Sequence, residues 1–374
     1  MNTPSTTFDV DAHVEESVDT WKYLDQKYTR RRPIPVTLEG EPALLGQNAF
    51  WLIDGAVVPR TTGKGLSLFG TPTTSHHARR KPFAIASQEL TDIQERLSDL
   101  DRFGIETQLI NSTLLNATLS PDIEFEHALC HAYNTWIAEA CARSRGRLRW
   151  NAMVRLTHIQ SAVDELRRIV DLGAAAAEIH GMAGDRLLDS RDFDPFWSEA
   201  QRLNIPVYVH IGFESPTFTG LFQNLFMSIA FSNRASLLMG FLAIVGTGVA
   251  ERFPNLRFVF AEAGVEWLPW LVHVMDSYWR MGQGFFRNDP DFGHSKVMPG
   301  EILRDGRIYL VCEVDDELRG ALDLLGEDRL LLGSDMPHSE SHPNSFVKFR
   351  ERTDISEAAK NKILGTNARQ LFSR

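Results

Sequence analysis

The stretch Phe8-Asp9-Val10-Asp11-Ala12-His13-Val14 sets two carboxylates and one imidazole into an apolar, strand-forming frame. Residues two apart on a strand share a face, so Asp9, Asp11 and His13 are expected to project together from one side. Such groups are costly to bury at the end of a strand unless something compensates them, and a divalent cation is a common compensator. On its own, Asp-x-His fits a capped loop with a neighbouring ion pair equally well. The rest of the chain decides between the two. Seven further short apolar runs are present, at Thr107–Ser112, 149–155, 175–180, 206–211, 257–261, 308–311 and 330–333. Each is the continuous run expected of a strand covered on both faces.

Between most of these runs the apolar residues recur at helical spacing, over 88–103, 124–143, 159–172, 194–203, 235–253 and 316–325. The 194–203 segment opens with Asp194-Pro195, a cap followed by a first-turn proline. Regular alternation of strand and helix implies a parallel sheet, and eight units imply its closure as a (β/α)8 TIM barrel. The pattern predicts one domain over 1–374, without internal repeats. Two strand-to-helix loops are enlarged. Residues 15–86, rich in Pro, Thr, Ser and Gly, read as a cap over the barrel mouth, and 212–233, rich in Phe, reads as a second insert.

Composition narrows the function. The 374 residues are 43% hydrophobic and 24% charged, and the net charge of -10 is spread along the chain. No basic block is present, which argues against nucleic-acid and anionic-membrane partners. Cys130, Cys141 and Cys312 are odd in number and lack CxxC spacing, so neither a disulfide framework nor a cysteine zinc site is expected. A reduced, cytoplasmic setting is expected, with no leader in the polar opening residues. The most apolar stretch, 235–249, is interrupted by Gly240, Gly246 and Gly248 and reads as too short to span a bilayer. Those glycines also lack the strand-turn-helix context of a dinucleotide loop, and no organic cofactor is expected.

Two more runs end as the first does. The fifth closes in Pro206-Val-Tyr-Val-His210, and the eighth in Leu330-Leu-Leu-Gly-Ser-Asp335-Met-Pro-His338. In a barrel all these residues meet at the carboxyl ends of the strands, where a metal site is then expected. Glu15 and Glu313 are weaker candidates, as likely to be salt-bridge partners as site residues. His76-His77 reads as a solvated pair, Trp267 and Trp270 as packing or a subunit contact, and Arg30-Arg31-Arg32 as a solvated edge that could also reach an acidic substrate.

The chain resembles the amidohydrolase superfamily, in particular the amidohydrolase-related branch with the aminocarboxymuconate semialdehyde and resorcylate decarboxylases. The resemblance rests on Asp9-Val-Asp11-Ala-His13-Val-Glu15, Arg96-Leu-Ser-Asp-Leu-Asp101-Arg-Phe-Gly-Ile105, Asp194-Pro-Phe-Trp197, Arg252-Phe-Pro-Asn-Leu256, Ala261-Glu-Ala-Gly-Val-Glu-Trp267-Leu-Pro269 and Gly333-Ser-Asp335-Met-Pro-His338. It implies metal ligation by Asp11, His13, His210 and Asp335, a set suited to zinc, manganese or iron. The sequence departs from the decarboxylases at the sixth strand, where they resemble one another in a histidine and this chain has Glu262. Glu262 could serve as general base or as a further ligand. His180 stands where binuclear relatives keep a bridging ligand, so with Glu262 it could complete a second ion site or contact substrate; His338 is placed to meet substrate or Glu15.

The resemblance implies a metal-dependent hydrolase or non-oxidative decarboxylase of a small organic, possibly aromatic, acid. Two alternatives stand beside it: a non-heme iron oxygenase with one or two irons, and a metal-holding subunit without turnover that supports an active paralogue. The expected partners are a small-molecule substrate and a second chain, in a homodimer or a hetero-oligomer with a paralogue.

Overall fold

Runs buried on both faces become strands of a parallel sheet, and eight of them are found in the computed structural model, which describes residues 7–38, 47–285, 292–339 and 341–373. They are β1 (Phe8–Val14), β2 (Thr107–Ser112), β3 (Leu148–Met153), β4 (Ala176–His180), β5 (Val207–His210), β6 (Phe258–Ala261), β7 (Ile308–Cys312) and β8 (Leu330–Leu332). Each pairs in parallel with the next in sequence order. Their outward side chains, among them Ile110, Ala152, Ile179, Val209 and Phe260, pack on Leu129, Leu166, Trp197 and Phe241 of the surrounding helices. Inside, Phe8, Val10, Leu109, Tyr208, Val259, Tyr309 and Leu331 fill the amino-terminal part of the barrel. The expected (β/α)8 barrel is the observed one.

The first and eighth strands close the barrel through few backbone contacts. His13 N–H donates to the Met336 carbonyl at 2.6 Å, and the Asp11 carbonyl accepts from Ser334 N at 3.2 Å and Asp335 N at 2.8 Å. Side chains complete the seam. The buried Arg96 guanidinium donates to the carbonyls of His13 (2.9 Å), Met336 (3.3 Å) and Ser87 (3.3 Å) and to Gln108 Oε1 (2.8 Å). Gln108 Nε2 in turn donates to Asp9 at 2.7 Å, and Asp9 also accepts from the Ser334 amide and hydroxyl.

Asp9 therefore does not share a face with Asp11 and His13, contrary to the period-two reading. The register of β1 against β2 slips between Asp9 and Ala12. This irregularity turns Asp9 to the seam while Val10 joins the inner core. It leaves Asp11 beside Tyr208 inside the barrel. Re-aiming a side chain near a site is what an extra residue in a strand does.

Several boundaries also differ. The 235–253 segment is not one helix: α-helix Asn233–Phe241 passes into a π-helical turn at Leu242–Gly246, and the chain breaks at Gly248, whose φ is +89°, before Val249–Arg252. A nineteen-residue helix, Trp267–Phe285, comes after β6 and is absent from the sequence pattern. Pro269 sits in its first turn, where a missing N–H costs nothing. The first insert holds an antiparallel sheet of Ile34–Thr37, Ala49–Ile53 and Ala56–Val58, turned at Asp54-Gly55. Residues 39–46 of that insert, like the opening residues 1–6, lie outside the described residues. Arg31 is clamped by Asp54 (2.8 Å) and Asp122 (2.7 Å), tying the cap to helix Ile123–Ala142. The second insert is largely helical, and the continuous run Leu225–Gly246 spans 22 residues, longer than the apolar stretch read from sequence. Its length and composition would suffice to cross a membrane, yet 56% of its most apolar window is buried inside the molecule, as in a core helix.

Arg96 can be tested as the tie across the seam. Arg96→Ala removes the donor shared by the carbonyls of His13, Met336 and Ser87 and by Gln108 Oε1, and is expected to lower unfolding stability by about 3 kcal/mol. A urea midpoint unchanged from that of the parent protein would refute this role.

Candidate metal centre

The carboxyl ends of the strands carry the polar side chains. His13 is buried, and its Nδ1 donates to the Ser112 carbonyl at 3.1 Å, which leaves Nε2 facing the barrel axis. His210 is held in the same way by the Ile211 carbonyl at 2.8 Å. A backbone acceptor on one ring nitrogen selects the tautomer whose other nitrogen is free to ligate. Asp11 Oδ1 accepts from Asn111 Nδ2 at 2.8 Å and from Tyr208 OH at 3.1 Å.

Glu262 and Asp335, just past β6 and β8, both have left-handed backbone, with φ of +67° and +56°. Non-glycine residues held there store strain, and such strain concentrates at functional sites. Here it brings two acids over the two imidazoles. His13 Nε2 lies 3.4 Å from Asp335 Oδ1, 3.6 Å from Glu262 Oε2 and 3.9 Å from Asp11 Oδ1. His210 Nε2 lies 2.7 Å from Glu262 Oε2 and 3.6 Å from Asp11 Oδ1. His338 stacks on His13 at 4.1 Å, donates or accepts at Thr113 Oγ1 through Nε2 (2.8 Å), and sets Nδ1 2.6 Å from Asp335 Oδ1.

Two overlapping donor sets result, Asp11, His13, His210 and Glu262, and then His13, Glu262, Asp335 and His338, each with its ligand atoms within 4.8 Å of one another. His13 Nε2, His210 Nε2 and Glu262 Oε2 are buried yet make no aligned hydrogen bond. The 2.7 Å approach of His210 to Glu262 is thus an ionic contact of poor direction. Buried, convergent and unsatisfied nitrogen and oxygen donors fit a divalent cation of the zinc, manganese or iron type.

The electrostatics agree. Burial would push the His210 imidazole down, but Glu262 and Asp11 beside it outweigh that and hold its pKa well above the ordinary value. Burial would raise Glu262, and His210 and His13 instead hold it well below the carboxylate range.

His180 stands outside both donor sets. Its Nδ1 meets Glu214 Oε2 at 2.9 Å and Arg155 Nη1 at 3.1 Å, and its ring fills the space a side chain at Gly212 would need. Burial, opposed by Glu214 and reinforced by Arg155, takes its pKa down to about 4. Arg155, also fixed by Glu126 at 2.9 Å, does not stand out in the sequence. Neither does Glu178, two residues before His180 and so on the same face, whose buried carboxyl is pushed up to about 7 by burial. Glu15 is engaged by Lys81 at 2.5 Å rather than by His338. His76 and His77 begin a short helix in the cap, and Trp267 packs on Phe241 while Trp270 is exposed.

Beside the donors lies a cavity of about 140 Å³ whose walls include Phe69, Asn233, Arg234 and Glu313. Phe69, from the cap, approaches His338 at 6.3 Å and Phe213 at 6.1 Å. A larger hollow of about 680 Å³ lies between helices Ile123–Ala142 and Ile159–Asp171, with the end of β3 and part of the cap in its wall, and receives none of the two donor sets. Convergent chemistry, rather than size, locates the site.

The family model described as amidohydrolase matches residues 77–374. Over 303 residues the chain is 25% identical to gamma-resorcylate decarboxylase of Rhodococcus jostii (strain RHA1), covering 76% of this chain and 88% of that protein. It is 24% identical to 2-amino-3-carboxymuconate-6-semialdehyde decarboxylase of Dictyostelium discoideum, over 74% and 75% of the two chains. Among solved structures, an amidohydrolase from Mycobacterium avium subsp. paratuberculosis K-10 superposes with a TM-score of 0.78 at 21% identity, covering 99% and 98%. The 5-carboxyvanillate decarboxylase of Novosphingobium aromaticivorans, solved with bound manganese, gives 0.69 at 17% identity, covering 99% and 97%.

A cation entering the site competes with the proton on His210. Because Glu262 and Asp11 favour the protonated form of that imidazole, affinity is expected to rise with pH, by up to roughly tenfold per unit for each proton displaced. Calorimetric titration with manganese in buffers of different ionisation enthalpy reads the proton release; binding that is independent of both pH and buffer would contradict it.

Proposed function

We propose, from the premise that this chain belongs to the amidohydrolase family, that it is a metal-dependent, non-oxidative decarboxylase of an aromatic acid. One observation carries the reading: the buried, unsatisfied donors of His13, His210 and Glu262 converge with Asp11, Asp335 and His338 at the mouth of the barrel. The relatives named for removing a carboxyl group, and the manganese in a structural neighbour, support decarboxylation and that ion over hydrolysis. Nothing in those names supports the iron oxygenase, and a subunit without turnover gains no support either.

Asp11, His13, His210 and Asp335 would hold the metal, with Glu262 as a further donor. A second ion would draw on Glu262, Asp335 and His338. The bound cation supplies positive charge against which an acid substrate can lodge. In the reaction the bond between ring carbon and carboxyl breaks, its electron pair stays with the ring carbon, that carbon takes a proton, and carbon dioxide leaves. His338, which meets Thr113 Oγ1 at 2.8 Å, hands that proton to the ring carbon, and Asp335, 2.6 Å from its other ring nitrogen, orients it. Glu262, whose carboxyl two imidazoles hold well below the ordinary range, is the base that takes up a proton from solvent and hands it on to His338, so that the proton given to the ring carbon is replaced. His180, neutral and bound to Arg155 and Glu214, supports the wall rather than exchanging protons. The cap and Phe69 exclude water from this space.

We place the enzyme in the cytoplasm, acting on a small-molecule substrate. Assembly with a second copy or a paralogue is supported by the exposed Phe226, Phe231, Trp270 and Phe285.

The test is carbon dioxide release from 2,6-dihydroxybenzoate and related hydroxybenzoates by manganese-loaded protein. The rate is expected to be the same with and without oxygen and to vanish with a chelator. His13→Ala and Asp335→Ala should lose both metal and turnover while remaining folded. Glu262→Gln should keep at least one ion and slow turnover by about a hundredfold or more. Full metal content in both alanine variants would overturn the ligand assignment; oxygen-dependent turnover would overturn the reaction.

A further inference from the structure

Three cavities run in series at the mouth of the barrel. The metal-side cavity of about 140 Å³ shares Phe69, Ile211, Asn233 and Glu262 with a neck of only about 10 Å³. That neck shares Phe69, Asn116 and Phe213 with an outer chamber of about 200 Å³. The chemistry changes from one end to the other. Among the described residues the outer chamber is lined by no carboxylate and no imidazole, and its one charged side chain, Arg60, is exposed and gives Nη1 to the Lys64 carbonyl at 3.1 Å. Val58, Pro59, Leu114, Ala117 and Phe213 offer it apolar surface.

Backbone bonds between the two inserts and the loop after β2 hold this chamber in shape. The Phe213 amide donates to the Asn116 carbonyl at 2.7 Å, and the Gly65 amide to the Phe222 carbonyl at 3.1 Å. Ser228, which opens the π-helical turn Ser228–Ser232, donates through Oγ to the Leu66 carbonyl at 2.7 Å. Gly70, with φ of +75°, brings the cap so close to Leu114 that a Cβ there would stand 3.0 Å from it. The Phe69 and Phe213 rings are thereby kept 6.1 Å apart beside the neck.

Two observations point to a ligand that occupies more than the metal-side cavity. Small-molecule sites begin at roughly 300 Å³, a size the metal-side cavity reaches only together with the outer chamber. Asn116, 9% exposed and lining both neck and chamber, keeps its Oδ1 buried without a hydrogen bond among the described residues. A buried acceptor left without a donor is costly, and an N–H or O–H on a bound molecule would relieve it. The chamber is also close to the reacting groups, since Thr113 on its wall meets His338 at 2.8 Å.

We propose that the outer chamber is a second subsite, which makes the preferred substrate an aromatic acid that carries a further uncharged ring, with an N–H or O–H donor at the linkage for Asn116. The proposal rests on the decarboxylase reading for the acid end, which faces the metal donors. The first ring takes the metal-side cavity, the linkage passes the neck beside Phe69 and Phe213, and the second ring displaces water from the apolar walls. The chamber takes no part in bond breaking: it selects and orients.

The experiment is equilibrium binding of benzoate and of 3- and 4-anilinobenzoate, whose second ring is joined through an N–H, by calorimetry to manganese-loaded protein. The parent protein is expected to bind the tighter of the two anilinobenzoates at least roughly tenfold better than benzoate. Ala117→Phe fills the chamber from its wall, and Thr118→Trp does so from its exposed side. Each should remove that preference and change benzoate binding by less than about twofold, with metal content and melting temperature establishing that site and fold survive. No preference in the parent protein, or a preference that both intact variants retain, would overturn the proposal. Selective binding of the two-ring acid without turnover of any aromatic acid would instead overturn the decarboxylase reading and leave the chamber as a ring-binding subsite.

Discussion

The junction of the first and eighth strands is the contact on which the rest of the structure depends. A barrel must join its last strand to its first, and here the ladder is almost replaced by three backbone bonds and a chain of buried side chains from Arg96 through Gln108 to Asp9. The same bonds seat the chemistry. The Asp11 carbonyl that receives the Asp335 amide lies between two side chains of the donor sets, and the His13 carbonyl is braced by Arg96. Closure and site assembly are thus one event, because neither strand can shift along the other without pulling the donors apart.

That arrangement places like charges where proteins usually avoid them. Asp11, Glu262 and Asp335 stand within a few ångströms of two histidines, with left-handed backbone at two of the three acids. Deep in the barrel a further acid, Glu178, is buried with neither oxygen hydrogen-bonded, and its raised pKa reflects the low polarity around it. The surrounding packing must hold this cluster open, and the apolar layer beneath it, from Phe8 to Leu331, is what resists its collapse. The cation is then the natural counterweight to an excess of acids.

Much of this was legible in the sequence for a simple reason: strands covered on both sides have no polar face, so they stand out as uninterrupted apolar runs ending in acids and histidines. Strand order alone leads Asp11, His13, His210 and Asp335 to one end of the barrel, where Asp11, His13 and His210 fall in one donor set and His13 and Asp335 in the other. The hidden part depends on local irregularity. The register slip in β1 defeats a period-two reading and so misplaces Asp9. Helix Trp267–Phe285 was obscured by Pro269, which signals a break in general but is harmless in a first turn. The displacement of His180 toward Arg155 and Glu214 arises from residues far apart in sequence, 155 and 214, whose pairing no local pattern announces. The place of Arg234 in the cavity wall was equally invisible, since its direction depends on the extra residue in the π-helical turn Ser228–Ser232 before it.

That π-helical turn links two duties in one element. The run from Leu225 to Gly246 wraps the barrel with its buried side and presents the cavity wall at Asn233 and Arg234. Each residue added to or removed from a helix rotates all later positions by about 100° relative to those before it. A change of one residue in chain length upstream of Asn233 would therefore exchange the side chains offered to an incoming molecule while the metal donors stay where they are. Relatives could diverge in what they accept through small insertions and deletions here, leaving the reactive apparatus untouched.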